Sequence, residues 1–99
     1  MKYFTLKELT KSETAIRHGI NNTPDKKQQQ NLKKLVEFIL DPLREAYGKP
    51  IVVTSGYRCD KLNTILGGAK TSQHRLGEAV DIRTLEDTPE ENKKIFDLI

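Results

Sequence analysis

The sequence predicts an α+β domain, with a helical N-terminal half packed on a small, mainly antiparallel sheet. Three observations predict it. Leu32, Leu35, Val36, Ile39, Leu40, Leu43 and Tyr47 recur at three- and four-residue spacing, which marks one core-facing helical stripe. Ile51-Val52-Val53-Thr54 is a β-branched run too short for a helix, so it reads as a buried strand. Ala79-Val80-Asp81-Ile82 reads as a second strand, with Val80 and Ile82 on one face and Ala79 and Asp81 on the other. The chain has 99 residues, 35% of them hydrophobic, which is enough for one domain with a modest core.

The elements follow from local chemistry. Thr5 and Glu8 have capping-box spacing, and Phe4 and Leu9 flank them as a hydrophobic staple, so a helix starts there. Ser12 can cap a second short helix that ends at Gly19. Asn21-Asn22-Thr23-Pro24 is a turn into the long helix, where Pro42 removes one backbone donor. The expectation there is a kink, or a restart with Asp41 as cap. Gly48 and Pro50 end the helix. After the first strand, Asp60 can cap a helix over Lys61 to Leu66, stopped by Gly67-Gly68. Thr88-Pro89-Glu90-Glu91 is a helix start, with Glu91 completing a capping box and Ile95, Phe96 and Ile99 forming one apolar face. Lys26 to Gln30 and Lys33-Lys34 read as a solvated face.

Ser72-Gln73-His74-Arg75-Leu76-Gly77-Glu78-Ala79-Val80-Asp81 carries the chemistry. Asp is depleted in strands, so a carboxylate held in one calls for a partner: an arginine, backbone donors or a metal ion. His74 lies just upstream, across a bend that Gly77 permits. An imidazole and a carboxylate brought together in this way are two ligands of a zinc site. By themselves they read first as a loop histidine and a strand-end cap; the residues around them shift the reading toward a site. Arg58 follows the C-terminal end of the first strand, where a guanidinium suits capture of a carboxylate; the plainer alternatives are a surface residue or a partner for Asp60 or Asp81.

Taken together, S-G-Y-R at residues 55–58, Asn63, Gly67-Gly68, and S-x-H-x-x-G-x-A-x-D at residues 72–81 resemble the zinc D-Ala-D-Ala carboxypeptidases, within the lysostaphin, D-Ala-D-Ala and hedgehog-like metallopeptidases. The resemblance also takes in the helix with Leu40-Asp41-Pro42-Leu43-Arg44 and the opening F-T-L-K-E-L segment. It implies a hedgehog/DD-peptidase-like fold, His74 and Asp81 as zinc ligands, and Arg58 as the group that holds the substrate carboxylate or the oxyanion. Ser72 and Gln73 join Arg58 as implied substrate-binding residues. The implied substrates are peptidoglycan stem or cross-link peptides, cleaved by a carboxypeptidase or endopeptidase.

The resemblance further implies a third ligand, a histidine on a later strand, and an acidic general base. No histidine follows Asp81, and the other one is His18. His18 beside Gly19 suits a helix C-terminus; the alternative is that it stands in for the third ligand. Glu78 is the nearest candidate base, but strand alternation turns it away from Asp81. With only two strands and an apolar helix end at Ile99, the sheet is expected to be incomplete and the domain to continue past residue 99. Weak or no turnover is then expected of residues 1–99. The rival reading is a module that binds wall peptides or a protein without cleaving them.

Composition bounds the rest. The net charge of +3 is mild, basic residues are scattered, and no stacking or base-reading motif argues for nucleic acid. Cys59 is single, so no internal disulfide forms; it reads as a reduced thiol rather than a metal ligand. No segment reads as a secretory signal or a membrane span. The expectation is synthesis in the cytoplasm and action at the cell wall, as for phage or bacterial lytic enzymes.

Overall fold

The computed structural model describes residues 1–99. Six helices and two strands run in the order α1 (Leu6–Thr10), α2 (Glu13–Arg17), α3 (Lys26–Leu35), α4 (Asp41–Tyr47), β1 (Ile51–Ser55), α5 (Asp60–Ile65), β2 (Asp81–Thr84) and α6 (Pro89–Leu98). A π-helical turn, Val36–Leu40, joins α3 to α4, and a 3₁₀ turn, Gln73–Leu76, precedes β2. The α+β class is as the sequence predicts. No helix is long and apolar enough to cross a membrane.

Capping chemistry sets most helix starts. Thr5 and Glu8 form the full capping box, and Phe4 and Leu9 are both buried beneath it. Ser12 accepts from the Ala15 N–H, and Gly19 follows α2 with a left-handed φ of 64°. Asp25 and Gln28 cap α3 with a second box. Thr88 accepts from the Glu91 N–H, but the Glu91 carboxylate does not return to the cap. Asp60 is not the cap of α5 either: Cys59 holds that position, and the Asp60 carboxylate pairs with Arg75 at 3.2 Å.

The long helical segment does not restart on an Asp41 cap: Leu40 holds the cap position of α4, and Asp41 is its first residue. A proline ring at position 42 would clash with the carbonyl of residue 38 in a straight α-helix. The backbone instead widens by one residue, and the Asp41 N–H bonds to the Val36 carbonyl. This turn rotates Phe38 and Ile39 outward, to 76% and 50% exposure, so Ile39 leaves the expected stripe. The buried Asp41 carboxylate accepts the backbone N–H groups of Lys2 at 2.9 Å and Tyr3 at 3.1 Å. It ties the N-terminal segment to α4.

β1 and β2 pair antiparallel, Ile51 with Thr84, Val52 with Arg83 and Val53 with Ile82; a bulge at Thr54 then sets Ser55 opposite Asp81. The second strand thus begins two residues later than the sequence suggests. Ala79 and Val80 lie outside it, because β1 has already ended at Ser55 and leaves them no partner. Phe4, Leu9, Leu32, Val36, Leu40, Leu43, Ile51, Tyr57 and Ile95 form one core between the helices and the inner sheet face. On α6 only Ile95 joins it. Phe96 and Ile99 stay exposed, so the expected three-residue apolar face is split.

Glu91 closes the far end of this core. Its carboxylate, nearly buried, accepts Tyr47 Oη at 2.7 Å, Lys49 Nζ at 3.1 Å and Lys94 Nζ at 2.9 Å. The hydrogen bonds from Lys94, then Tyr47 and Lys49, hold its pKa down at about 2. Burial, then the bond to Glu91, pushes the Tyr47 phenol up to about 12. A carboxylate whose folded pKa is depressed stabilises the fold above its unfolded pKa and ceases to do so as pH falls through the folded value. The melting temperature is therefore expected to drop between about pH 4.5 and pH 2, and to drop less in Glu91→Gln. Thermal melts across that range check this; parallel curves for the two proteins would refute it.

Candidate metal centre

The site is assembled from three short segments, and backbone hydrogen bonds join two of them. β1 ends at Ser55, and Gly56 and Tyr57 turn away, buried against α1, where the Tyr57 N–H bonds to the Leu9 carbonyl at 2.8 Å. The next residue, Arg58, bonds through its N–H to the His74 carbonyl at 3.0 Å. In return His74 Nδ1 lies 2.8 Å from the Gly56 carbonyl. A carbonyl only accepts, so that contact assigns the imidazole proton to Nδ1 and leaves Nε2 on the side of Asp81.

His74 rides on the 3₁₀ turn. Ser72 caps the turn by accepting the His74 N–H at 3.3 Å, and Gly77 ends it with a left-handed φ of 73°. A Cβ at Gly77 would lie 2.5 Å from the Gln28 carbonyl, so the turn packs directly on α3. Gln28 Nε2 donates to the Arg75 carbonyl at 3.1 Å, and Asn31 Nδ2 to the Leu76 carbonyl at 2.8 Å. Asn22 performs the same service for the Arg58 segment: it donates to the Thr10 and Tyr57 carbonyls and accepts the Cys59 N–H at 2.7 Å.

Asp81 opens β2. Its Oδ2 is 3.6 Å from His74 Nε2 and 3.8 Å from an Arg58 terminal nitrogen, and Arg58 Nε donates to Ser55 Oγ at 3.2 Å. The His74 and Arg58 side chains are 13% and 18% exposed; that of Asp81 is 58% exposed. The carboxylate is therefore not buried within a strand, and the argument that burial obliges it to take a partner does not hold. Its position at the strand's first residue, open to solvent, relieves that cost.

The structure thus brings His74, Asp81 and Arg58 together. Ser72 stands beside them with its hydroxyl oxygen accepting the His74 N–H, and Gln73 is exposed at the start of the turn. Glu78 is exposed and lies ahead of β2, so strand alternation does not govern its direction. His18 is the exposed C-cap of α2. Gln28, Asn31 and Asn22 escaped the sequence reading. They look like solvated helix and loop residues, and their partners in the Arg58 and His74 segments lie 35 to 47 residues away.

Two donors on one tetrahedral zinc ion, each about 2.0–2.1 Å from it, sit roughly 3.3–3.5 Å apart. The 3.6 Å between His74 Nε2 and Asp81 Oδ2 fits that spacing, and a histidine whose other nitrogen donates to a carbonyl is oriented as metal-bound histidines are. No group of three or more His, Cys, Asp or Glu side chains converges anywhere in the structure, so these residues fit two protein positions of a zinc site and no more. A family profile described as Peptidase M15 matches residues 2–97. No curated protein and no solved structure gives a match.

Proposed function

The chain belongs to the peptidase M15 family, and from that premise we propose that it is a zinc-dependent peptidase acting on peptidoglycan stem or cross-link peptides at the cell wall. Members of the family are usually zinc peptidases. The observation that supports the reading most directly is the His74–Asp81 approach of 3.6 Å, with Nδ1 already held by a backbone carbonyl.

His74 Nε2 and Asp81 Oδ2 would hold the ion. Zinc, when bound, supplies Lewis acidity at the scissile carbonyl. Arg58 is fixed by Ser55 Oγ with its terminal nitrogens toward the same side as Asp81. In that place it would bind a carboxylate of the peptide or the oxyanion that develops on cleavage. Ser72 acts through His74 by fixing its turn, and exposed Gln73 is free to meet the peptide backbone.

Residues 1–99 present two ligands and no separate carboxylate in the group, so they are expected to hydrolyse wall peptides weakly or not at all. That same deficit favours a second reading, a module that binds wall peptides without cutting them. The test is amine release from D-Ala-ending peptides and from intact peptidoglycan, with zinc and with a chelator. Weak turnover that zinc raises and the chelator removes supports the peptidase. Binding with no release at any zinc level supports the module. Robust turnover would mean a third ligand among these residues, and His18→Ala would be the first variant to assay.

A further inference from the structure

An open groove of about 950 Å³ lies between α1–α2 and β1, with Arg58 in its wall. Four successive β1 residues, Val52 to Ser55, line it. Val52 and Val53 precede the bulge at Thr54 and face opposite ways, so a groove that touches both reaches the strand's edge as well as its outer face. That edge is unpaired, because β1 has β2 as its only neighbour.

The walls are cationic. Lys7, Lys11, Arg17, Arg58 and Arg83 line the groove against Glu8 and Glu13, which gives it an excess of three positive charges, 5 − 2. Lys7, Lys11, Arg17 and Arg83 have no carboxylate partner. Glu8 has one oxygen committed to the Thr5 N–H. Arg58 alone is paired, with Asp81.

We propose that this groove binds an extended acidic peptide, added along the free edge of β1, with its carboxylates on Lys7, Lys11 and Arg17. An open strand edge offers main-chain hydrogen bonds, which a polyphosphate or nucleic acid has no strand to match; a peptide uses both the edge and the charges. Arg58 is shared by the groove wall and the ion pair with Asp81, so a peptide in the groove lies next to the His74–Asp81 pair. The inference deepens the peptidase reading and rests on it for the claim that this peptide is substrate.

The test is fluorescence anisotropy on the full chain in a chelating buffer. The probes are a fluorescein-labelled Thr-Glu-Val-Glu-Val-Glu peptide, its Gln counterpart, and its backbone N-methylated form. The acidic peptide is expected to bind at least about tenfold tighter than the Gln form, since three exposed ion pairs together reach that range. Its affinity should fall with salt. Lys7→Glu/Lys11→Glu/Arg17→Glu should lose at least about tenfold, while Lys33→Glu/Lys34→Glu on α3 should not. The single variants Lys7→Gln and Lys11→Gln give the same direction if the triple variant fails to fold, as judged by circular dichroism. Equal binding of the acidic and Gln peptides overturns the proposal. So does an acidic peptide that N-methylation does not weaken, or one that a polyphosphate of equal charge displaces at equal concentration. Because the measurement is metal-free, failure of the groove is separate from failure of zinc to bind His74 and Asp81.

Discussion

Gly56→Ala is expected to destabilise the fold by about 3 kcal/mol or more, at the severe end for an overpacked site. A Cβ on Gly56 would lie 2.0 Å from the Leu9 carbonyl oxygen and 2.8 Å from its carbon. Both are backbone atoms, so no rotamer change relieves the contact, and α1 must move away from the end of β1. The move breaks the Tyr57–Leu9 hydrogen bond and disturbs Leu9, which is fully buried. It also shifts the Gly56 carbonyl that holds His74 Nδ1. Urea denaturation measures the first effect, and the His74 ring resonances in an NMR spectrum report the second. A loss below about 1 kcal/mol with unmoved imidazole signals would contradict the packing described.

His74→Ala and Asp81→Ala are each expected to lower zinc affinity by more than about a hundredfold, since even groups that only orient metal ligands cost about ten- to a hundredfold when removed. Arg58→Ala should act in the opposite direction on zinc and strengthen binding several-fold. Its guanidinium lies 3.8 Å from the oxygen an ion would take, so two cations compete for one carboxylate. The gain is modest because that oxygen belongs to a half-exposed side chain, where solvent screens the competition. The same variant should weaken use of carboxylate-bearing peptides. Competition against a chromophoric chelator gives the affinities. Zinc bound equally by wild type and His74→Ala would move the ion off this pair.

What could be read from the sequence was local. Caps at Thr5, Ser12 and Thr88 satisfy N–H groups within three residues, and their residue types announce them. The stripe from Leu32 to Leu43 and the run from Ile51 carry their own period. The spacing of His74, Gly77 and Asp81, with Arg58 ahead of them, pointed to residues that the structure does gather at one place. Hidden from the sequence were contacts between distant segments. Asp41 looked like a helix cap and instead holds Lys2 and Tyr3, 39 and 38 residues away. Glu91 looked like half of a capping box and instead meets Tyr47 and Lys49. The start of β2 depends on where β1 stops, which no pattern within 79–82 records.

The imidazole of His74 is aimed by main-chain atoms. Its Nδ1 partner is the Gly56 carbonyl, its own carbonyl takes the Arg58 N–H, and α3 grips its turn through the Arg75 and Leu76 carbonyls. An alanine scan sees such a shell only at Gln28, Asn31 and Ser72, whose side chains bond to the turn, because it leaves the carbonyls in place. Scanned positions such as Arg75 and Leu76 would read as silent on the metal, although their peptide units help set the ring's angle. Apart from Gln28, Asn31 and Ser72, the surface around the imidazole can therefore change its side chains and keep the same donor direction. Insertions and deletions in residues 55–58 or 72–77, which move the peptide units themselves, are the changes this centre would not tolerate.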